Sequence, residues 1–218
     1  MVNLILFGAI AVVLGVGLGI LFNKLVVKDF PENGRKASYV KTVVVFLLIA
    51  VVIFAALYGK SIVDPSVKSF SGKIEQDIKK NYSNLDIVKN GIDLTAASKD
   101  SSKLNNTVND LTRVLKPSDF GVPAFIWNTV LSNVKKELQK IIISFNKSGG
   151  ASNPFVDERN YLTVSSFIKG LQVTILNVVK ITVIVIISIC VILLAIYILT
   201  SLSKASKEKK RVASKNAG

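Results

Sequence analysis

The sequence predicts an all-α membrane protein with three transmembrane helices and a mostly helical extracytoplasmic domain between the second and the third. Three long, nearly charge-free apolar runs lead to this prediction, and they are Val2–Phe22, Thr42–Tyr58 and Ile181–Thr200. A helix of about 20 residues crosses the roughly 30 Å hydrocarbon core of a bilayer. A soluble domain can bury one such run, but a chain of 218 residues is too small to bury three.

These runs divide the chain into spans and connecting segments. The predicted segments are transmembrane helix 1 (1–22), a basic cytoplasmic loop (23–41), transmembrane helix 2 (42–58), a helical extracytoplasmic domain (59–160), a helix leading into transmembrane helix 3 (161–200) and a basic cytoplasmic tail (201–218). The sequence shows no internal repeat.

Basic residues exceed acidic ones by 28 to 14, and the densest basic clusters lie directly beside the apolar runs. One cluster is the loop 23–41 and the other is the tail. The candidates for contact with lipid headgroups in the tail are Lys204, Lys207, Lys209, Lys210 and Arg211. Each basic side chain near a membrane surface attracts anionic lipid by about 1 kcal/mol. We therefore expect anionic lipids as partners at the cytoplasmic face and no nucleic acid.

The same clusters predict the orientation of the chain. Two spans separate them, so they lie on one side of the membrane, and short basic segments favour the cytoplasm. We expect a multi-pass protein of the plasma or inner membrane. Residues 59–170 are then extracytoplasmic, and the C-terminus is cytoplasmic.

The predicted outer domain begins with one amphipathic helix. Asp64 followed by Pro65 predicts its start, because a carboxylate caps free amides and proline suits the first helical position. Its apolar stripe consists of Val67, Phe70, Ile74 and Ile78. We expect this helix to end near Tyr82, before a turn at Asn90-Gly91.

Two more amphipathic helices follow in the predicted outer domain. One begins near Ser101 and stops at Pro117, and its apolar face contains Leu104, Val108, Leu111 and Leu115. The other begins at Pro123, ends near Ser148, and has a stripe of Ile126, Val130, Val134, Leu138, Ile141 and Phe145. From about Asp157 we expect the chain to be helical again and to continue into the third span. No strand-rich region is expected.

The apolar stripes of the outer domain have three interpretations. They can pack against one another in a small bundle, they can bury against a partner, or they can lie on the membrane surface. The third helix is the candidate for the last two because its apolar surface is wider than a single stripe needs. Ile141, Ile142 and Phe145 are the candidate interface residues.

The first span carries small residues on one helix face. Ala11, Gly15 and Gly19 are each four positions apart, a spacing that lets another helix approach closely. The approaching helix is either another span of the same chain or a span of another subunit.

The residue types argue against catalysis and against cofactor or metal binding. The chain has no histidine, so the commonest general base and zinc ligand are missing. Its single cysteine, Cys190, lies inside the third apolar run. We expect a non-enzymatic accessory subunit or scaffold of a membrane or envelope complex, whose partner is another membrane protein or its own copies. The alternative is a homo-oligomeric channel or permeability factor.

Overall fold

The computed structural model describes residues 2–26, 32–148 and 153–215, and this part of the chain is mostly helical. Its helices are α1 (Val2–Val26), α2 (Glu32–Asn81), α3 (Asp86–Lys89), α4 (Leu94–Ala97), α5 (Ser102–Val114), α6 (Ala124–Ser148) and α7 (Val164–Lys215). A 3₁₀ turn covers Pro117–Phe120. Two short strands, β1 (Ile92–Asp93) and β2 (Tyr161–Leu162), complete the structure.

Helices α1, α2 and α7 are long and apolar enough to cross a membrane. The candidate spans lie within Ile5–Val26, Ser38–Asn81 and Val164–Arg211. The expectation of a mostly helical chain with three such helices is therefore confirmed, and the length and composition of these helices indicate a multi-pass membrane protein.

The chain forms two compact units. The span unit consists of Met1–Lys60 and Thr182–Gly218, and the helical unit consists of Ser61–Ile181. Helices α2 and α7 contribute residues to both units, whereas α3 to α6 and the two strands belong to the helical unit.

The predicted helix start at Asp64-Pro65 is wrong, because α2 continues through Pro65 to Asn81. An internal proline costs a helix about 3 kcal/mol, since it removes one amide donor and crowds the preceding turn. Val63 and Val67, on either side of the proline, are both buried in the core of the helical unit. Burial of each such side chain stabilises the fold by about 1.5–3 kcal/mol, enough to offset the proline.

The apolar stripe of α2 differs from the prediction at two positions. Val63 joins Val67, Ile74 and Ile78 in the core, whereas Phe70 is 40% exposed. The predicted stripe began at the supposed helix start, and for that reason it missed the turn that precedes Pro65.

Helices α5 and α6 agree with the sequence. The predicted apolar positions of α5 are all buried, and so are those of α6. The ring of Trp127, at the start of α6, stacks on Phe120 with the centroids 5.7 Å apart. These side chains join residues of α2 and α7 in one continuous core, so the helices of this unit pack against one another.

The segment after Asp157 is a turn and a strand, and the prediction of a helix from Asp157 is wrong. The Asp157 carboxylate accepts hydrogen bonds from the backbone amides of Arg159 and Tyr161, at 2.9 and 2.8 Å. This turn leads into β2, which pairs antiparallel with β1 through Ile92 opposite Leu162. Helix α7 therefore begins only at Val164, where Thr163 and Ser166 cap each other's amides.

The basic tail continues α7 as a helix as far as Lys215. Lysine, alanine, glutamate and arginine are good helix formers. The costly first turn is already formed within α7, so each added residue only propagates the helix.

Candidate functional site

The candidate site of the span unit is a seam along one face of α1. Ala11, Gly15 and Gly19 are buried, and so is Asn23, which continues the same four-residue spacing. We call these four residues the α1 seam. Its first three members are the small residues that the sequence singled out.

The α1 seam packs on α2 of the same chain. A Cβ atom built on Gly15 would lie 2.7 Å from the Cα of Leu47, and one built on Gly19 would lie 2.8 Å from the Cα of Val43. Real side chains do not approach a backbone atom so closely, so only glycine fits at these two positions. Gly17, on another face of α1, has no atom within 4 Å of such a Cβ. The seam therefore joins two helices within one chain.

Asn23 adds a polar contact to the α1 seam. Its Nδ2 donates a hydrogen bond of 3.1 Å to the carbonyl oxygen of Tyr39, which belongs to α2. Its Oδ1 is buried and has no hydrogen-bond partner among the residues that the structure describes. An amide that bonds across two helices favours one register of α1 on α2, because sliding by a turn would break the bond.

Helix α7 joins α1 and α2 through Tyr197. The hydroxyl groups of Tyr197 and Thr42 lie 2.8 Å apart. Thr42 donates its own hydrogen to the carbonyl of Ser38 at 2.9 Å, so the tyrosine hydroxyl is the donor to the threonine oxygen. The Tyr197 ring also lies 6.4 Å from the ring of Phe22 on α1. These contacts bring the same end of all three helices together.

The basic residues lie beyond that end of the span unit. Lys24 of α1 and Lys41 of α2 are exposed there. The predicted lipid-contact residues Lys204, Lys207, Lys209, Lys210 and Arg211 are also exposed, on the part of α7 that follows Tyr197. Arg211 forms a weak ion pair with Glu208, at 3.8 Å. This single pair leaves most of the positive charge of the five tail residues uncompensated.

The candidate interface on α6 is used mainly inside the chain. Ile141 and Phe145 are 2% and 8% exposed and belong to the core of the helical unit, and Ile142 packs partly against that core. These three side chains therefore pack, wholly or in part, inside the helical unit. The large apolar side chains of α6 that are exposed, in the part of the helix whose side chains the structure describes, are Phe125 and Ile143.

A cleft of about 330 Å³ lies between α2 and the end of α5. Apolar residues such as Phe70 and Val114 line it together with Asp77 and Asp119. The Asp119 carboxylate already accepts the backbone amide of Lys116 at 2.8 Å, so it caps the 3₁₀ turn. Among the described residues, no group of three or more acidic or cysteine side chains is placed to hold a metal ion.

Two carboxyl groups of the helical unit have a shifted pKa, and both have local structural causes. The backbone amide of Ser102 lowers the pKa of Asp100. Partial burial raises the pKa of Asp157, but hydrogen bonds from the amides of Tyr161 and Arg159, together with the Arg159 guanidinium, bring it below its ordinary value. Both carboxylates stabilise the start or the approach of a helix, so neither shift points to acid–base chemistry.

Comparison with known proteins gives no relative from which a function could be read. No protein-family model matches the chain, and no curated protein or solved structure matches it significantly.

Sequence reasoning missed Asn23 and the pair Thr42–Tyr197. Asn23 had a detectable signal, because it lies four residues after Gly19, but the predicted span ended at Phe22. Thr42 and Tyr197 had none, because a contact between residues 155 positions apart leaves no local pattern.

Proposed function

We propose that this protein is a non-enzymatic accessory subunit or scaffold of a membrane complex. Its span unit holds it in the bilayer, and its helical unit binds a partner outside the bilayer. The partner is another membrane protein or further copies of the same chain.

The observation that carries this proposal is the core of the helical unit, which extends from Val63 to Val179. Its first and last side chains belong to α2 and α7, the helices that contain the second and third candidate spans. A folded unit with a span at each end is suited to presenting a fixed surface to a partner. The carboxylates of Asp119 and Asp157 accept hydrogen bonds from nearby backbone amides, and these bonds give both residues a structural role.

The packing of the α1 seam narrows where a partner can bind. Because Gly15 and Gly19 contact α2 within the chain, a partner helix has to use a different face of the span unit. If a substitution of either glycine caused the loss of a partner, the cause would therefore be a disrupted α1–α2 contact. It would not be the loss of a direct contact between the glycine and the partner. The surfaces left for a partner are the outward faces of the spans and the exterior of the helical unit.

We further propose that the exposed basic residues of the tail contact anionic lipid at the cytoplasmic face. Lys204, Lys207 and Arg211 lie on neighbouring faces of the helical tail and are exposed. Each would add about 1 kcal/mol of attraction to an anionic surface at moderate salt. Native mass spectrometry of the purified protein should therefore show bound anionic lipids, and replacing these three residues by Gln should reduce their number.

Extraction through a C-terminal tag in a mild detergent, followed by native mass determination, tests the main proposal. A second polypeptide in fixed stoichiometry supports an accessory subunit. A homo-oligomer without other chains contradicts the accessory role and favours the channel alternative. Ion flux through vesicles that contain only this protein then separates a channel from a self-assembling scaffold.

The proposed orientation has its own test. Cys190 is the only cysteine and is buried, so the unmodified chain is a low-background reference for thiol labelling. Asn105→Cys in the helical unit and Ser206→Cys in the tail both replace exposed residues. In intact cells a membrane-impermeant maleimide should label Asn105→Cys only. Labelling of Ser206→Cys alone would show that the chain has the opposite orientation, with its tail outside the cell.

A further inference from the structure

The cleft between α2 and the end of α5 brings two aromatic side chains and two carboxylates together inside the helical unit. Phe70 and Tyr82 of the α2 side line it, and so do Asp77 of α2 and Asp119 of the 3₁₀ turn. Its volume of about 330 Å³ suits a small organic molecule, because ligand pockets begin at about 300 Å³.

The floor of this cleft is apolar and already formed. Ile74, Ile78 and Leu115 line the cleft and are 8%, 2% and 4% exposed. All three belong to the core of the helical unit, so packing on their inner side holds them in place. The cleft therefore offers the apolar part of a ligand a fixed surface.

Phe70 lies on the core-facing stripe of α2 and is nevertheless left uncovered. Val67 and Ile74, the stripe residues on either side of it, are 0% and 8% exposed, whereas Phe70 is 40% exposed. The neighbouring residue of the turn is Gly121, and a Cβ built on it would lie 3.9 Å from Cε2 of Phe70. Because Gly121 has a φ of 62°, a conformation that favours glycine, no side chain extends from it towards the ring. The ring remains available as a wall of the cleft.

The charge of the cleft is opposite to that of the chain. Bases outnumber acids by 28 to 14 in the sequence, but Asp77, Asp119 and a single lysine, Lys73, are the charged residues that line the cleft. The Asp77 carboxylate has no ion-pair or hydrogen-bond partner among the residues that the structure describes. Asp119 uses Oδ2 to accept the backbone amide of Lys116. The cleft therefore holds an unpaired negative charge beside an apolar floor.

An organic ammonium ion with an apolar body matches all of these features. Carboxylates form charge-assisted hydrogen bonds with an ammonium group, and aromatic rings attract a cation to their faces. Two carboxylates would repel an anion. A neutral apolar molecule would cover the floor but would leave Asp77 without a partner.

From these observations we propose that this cleft binds a small organic ammonium ion with an apolar body. Asp77 pairs with the ammonium group, Phe70 and Tyr82 contact the cation from the rim, and the buried floor receives the apolar body. The inference concerns the helical unit alone and is independent of the accessory-subunit proposal.

Binding of phenylethylammonium to the full chain in a nonionic detergent tests this site. Phenylacetate is the matched anion, because it carries the same ring on a similarly short chain. Saturation-transfer NMR of the ring protons measures both. We expect saturable binding of the cation with a Kd on the order of 1 mM and no saturable binding of the anion.

Substitutions locate the binding to the cleft. Asp77→Asn should weaken the affinity for phenylethylammonium about five-fold, and it removes no contact among the described residues. Phe70→Leu keeps an apolar side chain but removes the ring, and it should weaken the affinity about three-fold. Glu158→Gln is the matched control, because it neutralises an exposed carboxylate that lies outside the cleft, and it should leave the affinity unchanged. Unchanged emission of Trp127, the only tryptophan, verifies folding of each variant.

Three results would overturn the proposal. One is the absence of saturable binding of phenylethylammonium, and another is equal affinity for phenylacetate, which would show that the charge of the cleft selects nothing. The third is an unchanged affinity in Asp77→Asn, which would place the bound cation in the micelle or elsewhere on the chain.

Discussion

The hydroxyl groups of Thr42 and Tyr197 lie 2.8 Å apart and connect α2 to α7 across 155 positions of sequence. Thr42 is almost completely buried, and its own proton is used by the carbonyl of Ser38. The Tyr197 hydroxyl is thus the donor of a hydrogen bond between two candidate spans, in surroundings that offer few alternative partners.

Removing the Tyr197 hydroxyl should weaken the span unit modestly. Hydrogen bonds between membrane helices contribute about 0.6 kcal/mol on average, so Tyr197→Phe should lower the free energy of unfolding by about that amount. A double-mutant cycle with Thr42→Val, measured by SDS-induced unfolding in mixed micelles, isolates the pair. A coupling energy of zero would show that the two hydroxyls do not interact in the folded protein.

Gly15 and Gly19 should tolerate no larger residue. Gly15→Ile and Gly19→Ile each force a side chain against the backbone of α2, and overpacking of this kind costs about 1–3 kcal/mol. Gly17→Ile is the matched control, because its Cβ meets no atom within 4 Å. Resistance to SDS, followed by circular dichroism, should fall for the first two variants and stay near the wild-type value for the third. Equal losses at all three positions would contradict the α1–α2 seam.

Gly170 of α7 should be equally intolerant in the helical unit. A Cβ at this position would clash with the ring of Phe155, which is 1% exposed and contacts Phe167 edge-on. Because this ring has no room to move, Gly170→Ala should lower the free energy of unfolding by about 1–3 kcal/mol.

Gly72 provides the opposite expectation on α2. Its Cβ would meet nothing within 4 Å, and alanine is a better helix former than glycine by about 0.5–1 kcal/mol. Gly72→Ala should therefore stabilise the helical unit. Urea unfolding in mild detergent, reported by the emission of buried Trp127, measures both variants in the full chain. A loss of stability in Gly72→Ala would argue that α2 is not continuous there.

The Asp157 turn should make the helical unit sensitive to acid. The pKa of this carboxyl is lower in the folded chain than its ordinary value of 3.8, so the ionised form stabilises the fold above about pH 4. That stability is lost as the pH falls through the lowered folded pKa. Asp157→Asn keeps an acceptor for the amides but carries no charge to titrate.

Between about pH 5 and about pH 2.5, a range that brackets the titration of the Asp157 carboxyl, the free energy of unfolding should decrease in both proteins. It should decrease more steeply in the wild type than in Asp157→Asn. The difference in stability between the two proteins should be largest near neutral pH. Parallel profiles would show that the carboxylate is not coupled to folding.

The success of the sequence-based prediction depended on how local each signal is. The stripe of α6 consists of apolar residues at spacings of three and four, and the structure buries them all. Pro65 misled the prediction because it is a strong local signal for a helix start, whereas burial of Val63 and Val67 depends on contacts distant in sequence. The β1–β2 pairing was missed because two residues are too few to display an alternating pattern.

The candidate site shows the same division. Ala11, Gly15 and Gly19 were recognisable from their spacing alone, but their neighbour was not. The identity of that neighbour as Val43 and Leu47 of the same chain depends on how α1 and α2 approach each other. Composition and periodicity along a single helix carry no information about that approach.

The core of the helical unit also constrains how the chain acquires its structure during synthesis. Phe167, Leu171 and Ile175 belong to α7 and are fully buried against residues from earlier segments. Helices α5 and α6 therefore leave the ribosome well before the side chains that complete their core. The core of the nascent helical unit is therefore incomplete, and part of its apolar surface is exposed, until residues 164–179 have been synthesised. A chaperone or the membrane surface has its greatest opportunity to act on this protein during that interval.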